Sequence, residues 1–160
     1  MAITKATGPV LGNYTVGTDN VALGDTALDS VQSGGNYNVA IGRNAATATT
    51  TGDNNIAIGN SSFDANTTGS GNVAVGGDAL GANTTASNNV AVGTSALLSN
   101  TEGTDNVAVG ANSLDANTTG SDNTAIGDNA LGANTDGEAN TAVGANALDA
   151  ATTADANSAF

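Results

Sequence analysis

The sequence predicts an all-β protein built as a solenoid of 17-residue coils. A five-residue unit, in its clearest copy Asn106-Val107-Ala108-Val109-Gly110, recurs along most of the chain. The copies follow one another at a constant 17-residue period, except that the first interval is longer by a single position. A fixed period of this kind is typical of solenoids, in which each repeat forms one coil and neighbouring coils share a core. Within the unit, Val107 and Val109 alternate with Ala108, which is the period of a short strand.

The first residues of the chain differ from the rest. Residues 1–17 lie outside the regular repeat and contain the only proline, Pro9, which follows Gly8 and indicates a turn or linker. We interpret residues 1–17 as an attachment arm or cap, and residues 18–160 as the solenoid domain. Within the arm, Pro9, Leu11 and Tyr14 are the residues that we expect to contact a partner.

Each repeat opens with an asparagine. In a stack of coils, equivalent residues form a column at the strand spacing, and side-chain amides can hydrogen-bond along it as in cross-β ladders. We therefore predict a structural asparagine column, with ligand or glycan binding as the alternative. Its members are Asn20, Asn38, Asn55, Asn72, Asn89, Asn106, Asn123 and Asn140.

The alternation within the unit also predicts which side chains lie inside. Val107, Val109 and Leu114 are expected to fill the interior, because large apolar side chains are usually buried. Ala108 then points to the opposite face. A column of small residues would allow close approach of another chain, so we predict that the alanines form the contact between chains; the alternative is that alanine merely suits a crowded corner. The column is Ala22, Ala40, Ala57, Ala74, Ala91, Ala108, Ala125 and Ala142.

The remainder of each coil predicts bends and corners. A small residue followed by a larger apolar one, as in Ala96-Leu97, indicates a second short strand or a bend. A polar corner such as Asn117-Thr118-Thr119-Gly120 closes the coil, where glycine supplies the positive φ that tight corners need. At the end of the chain, Asn157-Ser158-Ala159-Phe160 starts a ninth copy. We expect Phe160 to plug the apolar interior at the distal end of the rod.

Charge and composition exclude several functions. The net charge is −13, and Lys5 and Arg43 are the only basic residues, so a nucleic-acid partner is not expected. No segment approaches the roughly 18 apolar residues of a membrane helix, so no membrane partner is expected. Histidine and cysteine are absent, and acids such as Asp64 and Asp115 occupy variable positions, whereas an acid–base pair needs a fixed separation. We therefore expect no enzymatic activity, cofactor or metal.

Two binding alternatives remain open from the residues. Asp105-Asn106 and Asp122-Asn123 would offer oxygen ligands to a cation on adjacent coils, although the nonapeptide pattern of calcium-binding rolls is missing. Threonines also recur at the coil period, and a flat threonine array could order water in an ice- or surface-binding protein. This column is Thr67, Thr84, Thr101, Thr118, Thr135 and Thr152.

The repeat resembles known families. The Asn-Val-Ala-Ile-Gly type of unit, followed by small residues and a second glycine, resembles the head repeats of trimeric autotransporter adhesins. The stretch from Asn123-Thr124-Ala125-Ile126-Gly127 through Asn134-Thr135-Asp136-Gly137 is similar to repeat arrays in fibre and decoration proteins of tailed phages. The resemblance covers residues 20–160. It implies a left-handed parallel β-roll and a homotrimer.

The same resemblance implies a structural role. Adhesins carry a signal peptide and a membrane anchor, and long tail fibres add further domains, none of which is expected in this chain. The expectation is a trimeric capsid decoration, cement or head-fibre protein on the virion surface. Its arm would contact the major capsid protein or another virion protein. The alternative is a host-binding tail-fibre shaft or an adhesin head, with a host surface glycan as partner.

Overall fold

The chain folds into a parallel β-solenoid. The computed structural model describes residue 17 and residues 19–160, and that part of the chain contains strands and turns but no helix. Nine short strands form one parallel sheet in the order of the sequence. The predicted all-β solenoid with 17-residue coils is thereby confirmed. The strands are β1 (Val21–Leu23), β2 (Val39–Ile41), β3 (Ile56–Ile58), β4 (Val73–Val75), β5 (Val90–Val92), β6 (Val107–Val109), β7 (Thr124–Ile126), β8 (Thr141–Val143) and β9 (Ser158–Ala159).

Successive coils are joined by backbone hydrogen bonds on every side of the solenoid. From β2 to β8, each strand residue except Val143 pairs with the residue 17 positions later. The pairing continues through the turns, where the Leu114 N–H donates to the Ala130 carbonyl at 3.0 Å and the Thr118 N–H donates to the Thr135 carbonyl at 2.8 Å. Because backbone groups bond to the same or the adjacent position of the next coil, equivalent residues stack.

The longer first repeat is accommodated at a corner. The Gln32 N–H donates to the carbonyl of Thr50, one position beyond the partner that the regular period would give it. Further along the corner, Gly35 takes the place of Gly52, since each accepts a hydrogen bond from the asparagine that opens its own coil. The extra residue therefore lies between Gln32 and Gly35, where Gly34 has a φ of 119°. The strands on either side keep their alignment.

Turns occupy the positions where we expected a second strand or a bend. Each three-residue strand is followed by a glycine with strongly positive φ and then by turns that include left-handed residues. In the sixth coil these are Asn112 at 52° and Leu114 at 51°. Asparagine accepts this conformation readily, but leucine does so at a cost of roughly 1–2 kcal/mol. Leu114 is fully buried, so burial of its side chain in the core offsets that cost.

The interior is lined by alanine from the strands and leucine from the turns. In the fifth coil Ala91, Ala96 and Leu97 are all completely buried. Phe63 replaces leucine in the third coil, directly after the coil with Ala46, and the two sizes compensate along the column. Close packing requires such matching of volumes, because a void forfeits contacts on one side.

The predicted orientation of the strands is wrong. Val107 and Val109 are only partly buried and face outward, whereas Ala108 between them is completely buried. The same pattern holds in every strand from β1 to β8. The physical reason is the thinness of the coil: leucine from the opposite turn fills the interior, and only a methyl group fits across from it.

A matched pair of glycines tests how tightly the coils stack. A Cβ on Gly93 would come within 2.3 Å of the Gly110 carbonyl oxygen, and Gly93 has a φ of 139°. A Cβ on Gly77 would meet only the Asn60 carbonyl oxygen at 3.9 Å. We expect Gly93→Ala to lower the thermal midpoint measured by circular dichroism by several degrees, through strain of at least about 1 kcal/mol. Gly77→Ala should leave the midpoint unchanged or raise it slightly. Equal midpoints for the two variants would contradict this packing.

Candidate functional site

The asparagines that open the repeats form a buried hydrogen-bonded ladder. The Asn106 Oδ1 accepts the backbone N–H of Asn123 at 3.0 Å and its side-chain Nδ2 at 3.1 Å. The Asn106 Nδ2 donates to the Gly120 carbonyl at 2.8 Å. From Asn38 to Asn140 these residues are at most 1% exposed. The predicted asparagine column is therefore present, and its amides are enclosed within the chain rather than presented to a ligand.

A second asparagine ladder runs through the corners. Asn117 donates to the Asn100 Oδ1 at 2.8 Å and to the Gly120 carbonyl at 3.0 Å. We had interpreted these asparagines only as turn residues, although their recurrence at the coil period was visible in the sequence. The ladder stops after Asn134, because Ala151 occupies the next position. As a result the Asn134 Oδ1 is buried without a hydrogen-bond partner. The column is Asn66, Asn83, Asn100, Asn117 and Asn134.

The threonine column also serves coil stacking. The Thr118 hydroxyl donates to the Thr135 carbonyl at 3.0 Å, and the Thr135 hydroxyl donates to the Thr152 carbonyl at 3.1 Å. Thr67 and Thr101 make the equivalent bond. These hydroxyl hydrogens are committed to the chain itself. Their geometry offers an ordinary structural explanation for the repeated threonine.

The remaining predicted site residues fall in three different places. The alanines proposed as a contact between chains are 0–3% exposed inside a single chain, so that assignment is wrong: they have no surface left for a second chain. Phe160 is 93% exposed and continues the outward column of Val143, so it does not plug the interior. Pro9, Leu11 and Tyr14 lie outside the described residues.

The outward side of the sheet is the most prominent surface feature, and we call it the β-face. It consists of two columns of side chains on either side of the buried alanines. Val21, Leu23 and Ile126 on it are 41–49% exposed. No charged residue occurs in any strand. The first column is Val21, Val39, Ile56, Val73, Val90, Val107, Thr124, Thr141 and Ser158, and the second is Leu23, Ile41, Ile58, Val75, Val92, Val109, Ile126 and Val143.

The carboxylates all lie off the β-face. Burial raises the pKa of Asp115 above its ordinary value of 3.8. Burial is also the main cause that raises the pKa of Asp64, with a smaller contribution from the charge of Asp78. Within the described residues, no three acidic side chains come together in a group that could hold a metal ion. Of the two aspartate–asparagine pairs considered for a cation, the asparagine amides are already used in the ladder.

Comparisons with protein-family models, with curated proteins and with solved structures gave no match for this chain. The family resemblance of the repeat therefore remains an expectation from the sequence. In the described residues, no helix has the length and hydropathy needed to cross a bilayer.

The asparagine ladder can be tested by changing one amide group. Asn106→Asp removes the donor to the Gly120 carbonyl and places a carboxylate in a fully buried position. We expect the apparent free energy of unfolding in urea to fall by at least about 2 kcal/mol, because the oxygen that replaces Nδ2 would face the Gly120 carbonyl oxygen and be buried without a donor. Asn112→Asp is the control, since it introduces the same charge in a partly exposed turn where the side chain makes no hydrogen bond. Indistinguishable unfolding curves for the two variants would contradict a stabilising ladder.

The raised pKa of Asp115 predicts a defined pH dependence. A folded-state pKa above the unfolded value means that protonation favours the folded chain, so this contribution is lost as pH rises through the folded pKa. Asp115→Asn should therefore raise the thermal midpoint at about pH 7, and the gain should shrink as pH falls towards about 4. Asp128→Asn is the control, because it removes the same formal charge from an exposed position and so shows the effect of the lower net charge alone. If both variants raised the thermal midpoint equally at every pH, burial of Asp115 would not be the cause of the gain.

Proposed function

We propose that this chain is a non-enzymatic structural protein that associates with copies of itself through the β-face. The observation that carries the proposal is the exposed, uncharged aliphatic surface along the sheet. Nine strands at about 4.8 Å span about 38 Å, and two columns of side chains give roughly 400 Å². The largest apolar patch on a single chain is often of this size and is often a functional surface.

Charge favours a second copy as the partner. The fifteen acidic residues of the chain all lie outside the strands, with one arginine, Arg43, among the described residues. Two copies that meet through their β-faces bury aliphatic side chains without bringing carboxylates into the contact, whereas contact through any other side brings like charges together. The two surfaces also have the same length and the same 17-residue repeat, so every coil finds an equivalent coil.

The proposed assembly is a homotrimer of left-handed β-rolls. The number of copies and the handedness come from the resemblance of the repeat to trimeric adhesin heads and phage fibre proteins. With the β-faces around a common axis, the acidic turns would lie on the outside. The contact would use the valine and isoleucine columns, in place of the alanines first expected.

The proposed role is that of a decoration, cement or head-fibre protein on the virion surface of a tailed phage. A uniform rod that commits its buried amides and hydroxyls to stacking suits a scaffold better than a reaction centre. Attachment to the major capsid protein or another virion protein is assigned to residues 1–17. The alternative is a host-binding fibre shaft or an adhesin head, and deletion of residues 1–17 distinguishes it from a decoration protein.

Self-association is tested by a charge on the β-face. Val90→Asp would place a carboxylate in the middle of the contact, and sedimentation equilibrium should then show a monomer where the parent chain shows a trimer, because burying an unpaired charge is costly. Thr94→Asp is the control, as it lies in an exposed turn where the seventh coil has Asp128. The control should still form the trimer. A parent chain that sediments as a monomer at all concentrations would refute the proposal.

The role is tested by removing residues 1–17 from the same chain. A decoration protein should still form the trimer but no longer bind phage particles that lack it. A receptor-binding shaft should still bind host cells after the deletion, and this result would favour the alternative.

A further inference from the structure

The chemistry of the β-face changes along the solenoid. In the first column, β1 to β6 contribute only valine or isoleucine, whereas β7, β8 and β9 contribute Thr124, Thr141 and Ser158. The second column stays aliphatic through Val143. One end of an otherwise uniform apolar surface therefore carries a short row of hydroxyl groups.

A uniform repetitive surface leaves orientation and alignment poorly defined. Sliding one copy past another by one coil, about 4.8 Å, replaces aliphatic contacts with nearly identical ones. Turning one copy end to end also pairs aliphatic residues along the second column, for example Ile41 with Val143 and Val75 with Val109. A long aliphatic face can thus drive association without selecting one arrangement, and a polar residue within an apolar seam is a known means of selecting it.

The hydroxyl row discriminates between these arrangements. Within the described residues, the Thr124 and Thr141 hydroxyls donate to and accept from no protein group, so they depend on water in the single chain. In an end-to-end reversed pair, Thr124 would lie opposite Ile56 and Thr141 opposite Val39. Each hydroxyl would then be buried without a hydrogen-bond partner. This lowers the population of the reversed arrangement by about tenfold for each hydroxyl.

Aligned, parallel copies avoid this loss. With the first column nearest the common axis of the proposed trimer, Thr124 of each copy lies near Thr124 of the other copies, and a hydroxyl can both donate and accept, so the groups can bond with one another. A slip of one coil pairs a single threonine with an aliphatic residue, and larger slips mismatch more of the row. The discrimination is therefore strongest against reversal and increases with the size of a slip.

We propose that Thr124 and Thr141, with Ser158, fix the direction and alignment in which copies of this chain associate. The inference rests on the self-association through the β-face proposed above. These residues act as specificity determinants: they weaken the contact slightly and exclude other arrangements.

The test measures distances between copies. The chain has no cysteine, so Ala145→Cys introduces a single spin label on an exposed turn of the eighth coil. Electron-spin distance measurements on assembled protein should give one narrow distance for parallel, aligned copies. In a reversed copy, the eighth coil would lie opposite the second, and the labels would differ by about 29 Å along the rod.

The comparison uses the double variant Thr124→Val/Thr141→Val in the same labelled background. Valine has nearly the same shape as threonine, so association should be as strong or stronger, while additional distances should appear from reversed or slipped copies. The control is Thr94→Val/Thr119→Val, which removes two hydroxyls from exposed turns outside the β-face and should keep the single distance.

The outcomes separate this inference from the proposal beneath it. A double variant that assembles with the same single distance as the parent would overturn the role of the threonines and leave self-association intact. Weaker assembly of the double variant would also overturn it, because the hydroxyls would then drive the contact rather than select its geometry. If the parent chain showed no measurable distance between labels on different copies, self-association and this inference would both be overturned.

Discussion

Hydrogen bonding between equivalent positions of successive coils is the constraint on which the rest of this structure depends. The backbone groups on each side of a coil, the Asn106 amide and the Thr118 hydroxyl all bond to the neighbouring coil. Every repeat must therefore present the same geometry at the same place. Glycine follows each strand from β1 to β7 because the carbonyl of the next coil leaves no room for a Cβ. Leu114 accepts a left-handed conformation because the core requires its side chain there.

The thin interior that results determines what remains on the surface. In every coil but the second, which has Ala46, one leucine or phenylalanine packs in this space, so the facing strand can contribute only alanine. The valines and isoleucines of the same strands are then left outside, on a surface without charges. A single chain thus has its largest β-branched side chains exposed, which is unfavourable in water and favourable in an assembly. The proposed self-association follows from this geometry rather than from a separate binding motif.

The surface of the rod has two parts of different chemistry, the acidic turns and the uncharged β-face. Acidic turns cover the sides away from the sheet, and like charges there discourage further lateral growth. The polar row formed by Thr124, Thr141 and Ser158 lies within the β-face, and in the proposed assembly it would select the arrangement of the copies. A repetitive sequence needs such a departure from its repeat, because identical coils cannot distinguish one alignment from another.

The 17-residue period by itself determined the solenoid, the strand near the start of each coil and the asparagine column, because residues that stack in equivalent positions recur at that period in the sequence. The second ladder through Asn117 was equally periodic and was missed only because asparagine is also a common turn residue. The tertiary structure alone decided which face of each strand lies inside. Alternation shows that Val107 and Ala108 face opposite ways, but the choice depends on the space left by Leu114 from the other side of the coil. The width of the interior cannot be read from the sequence. Because it leaves the valines rather than the alanines on the outside, the proposed contact between chains uses the valines.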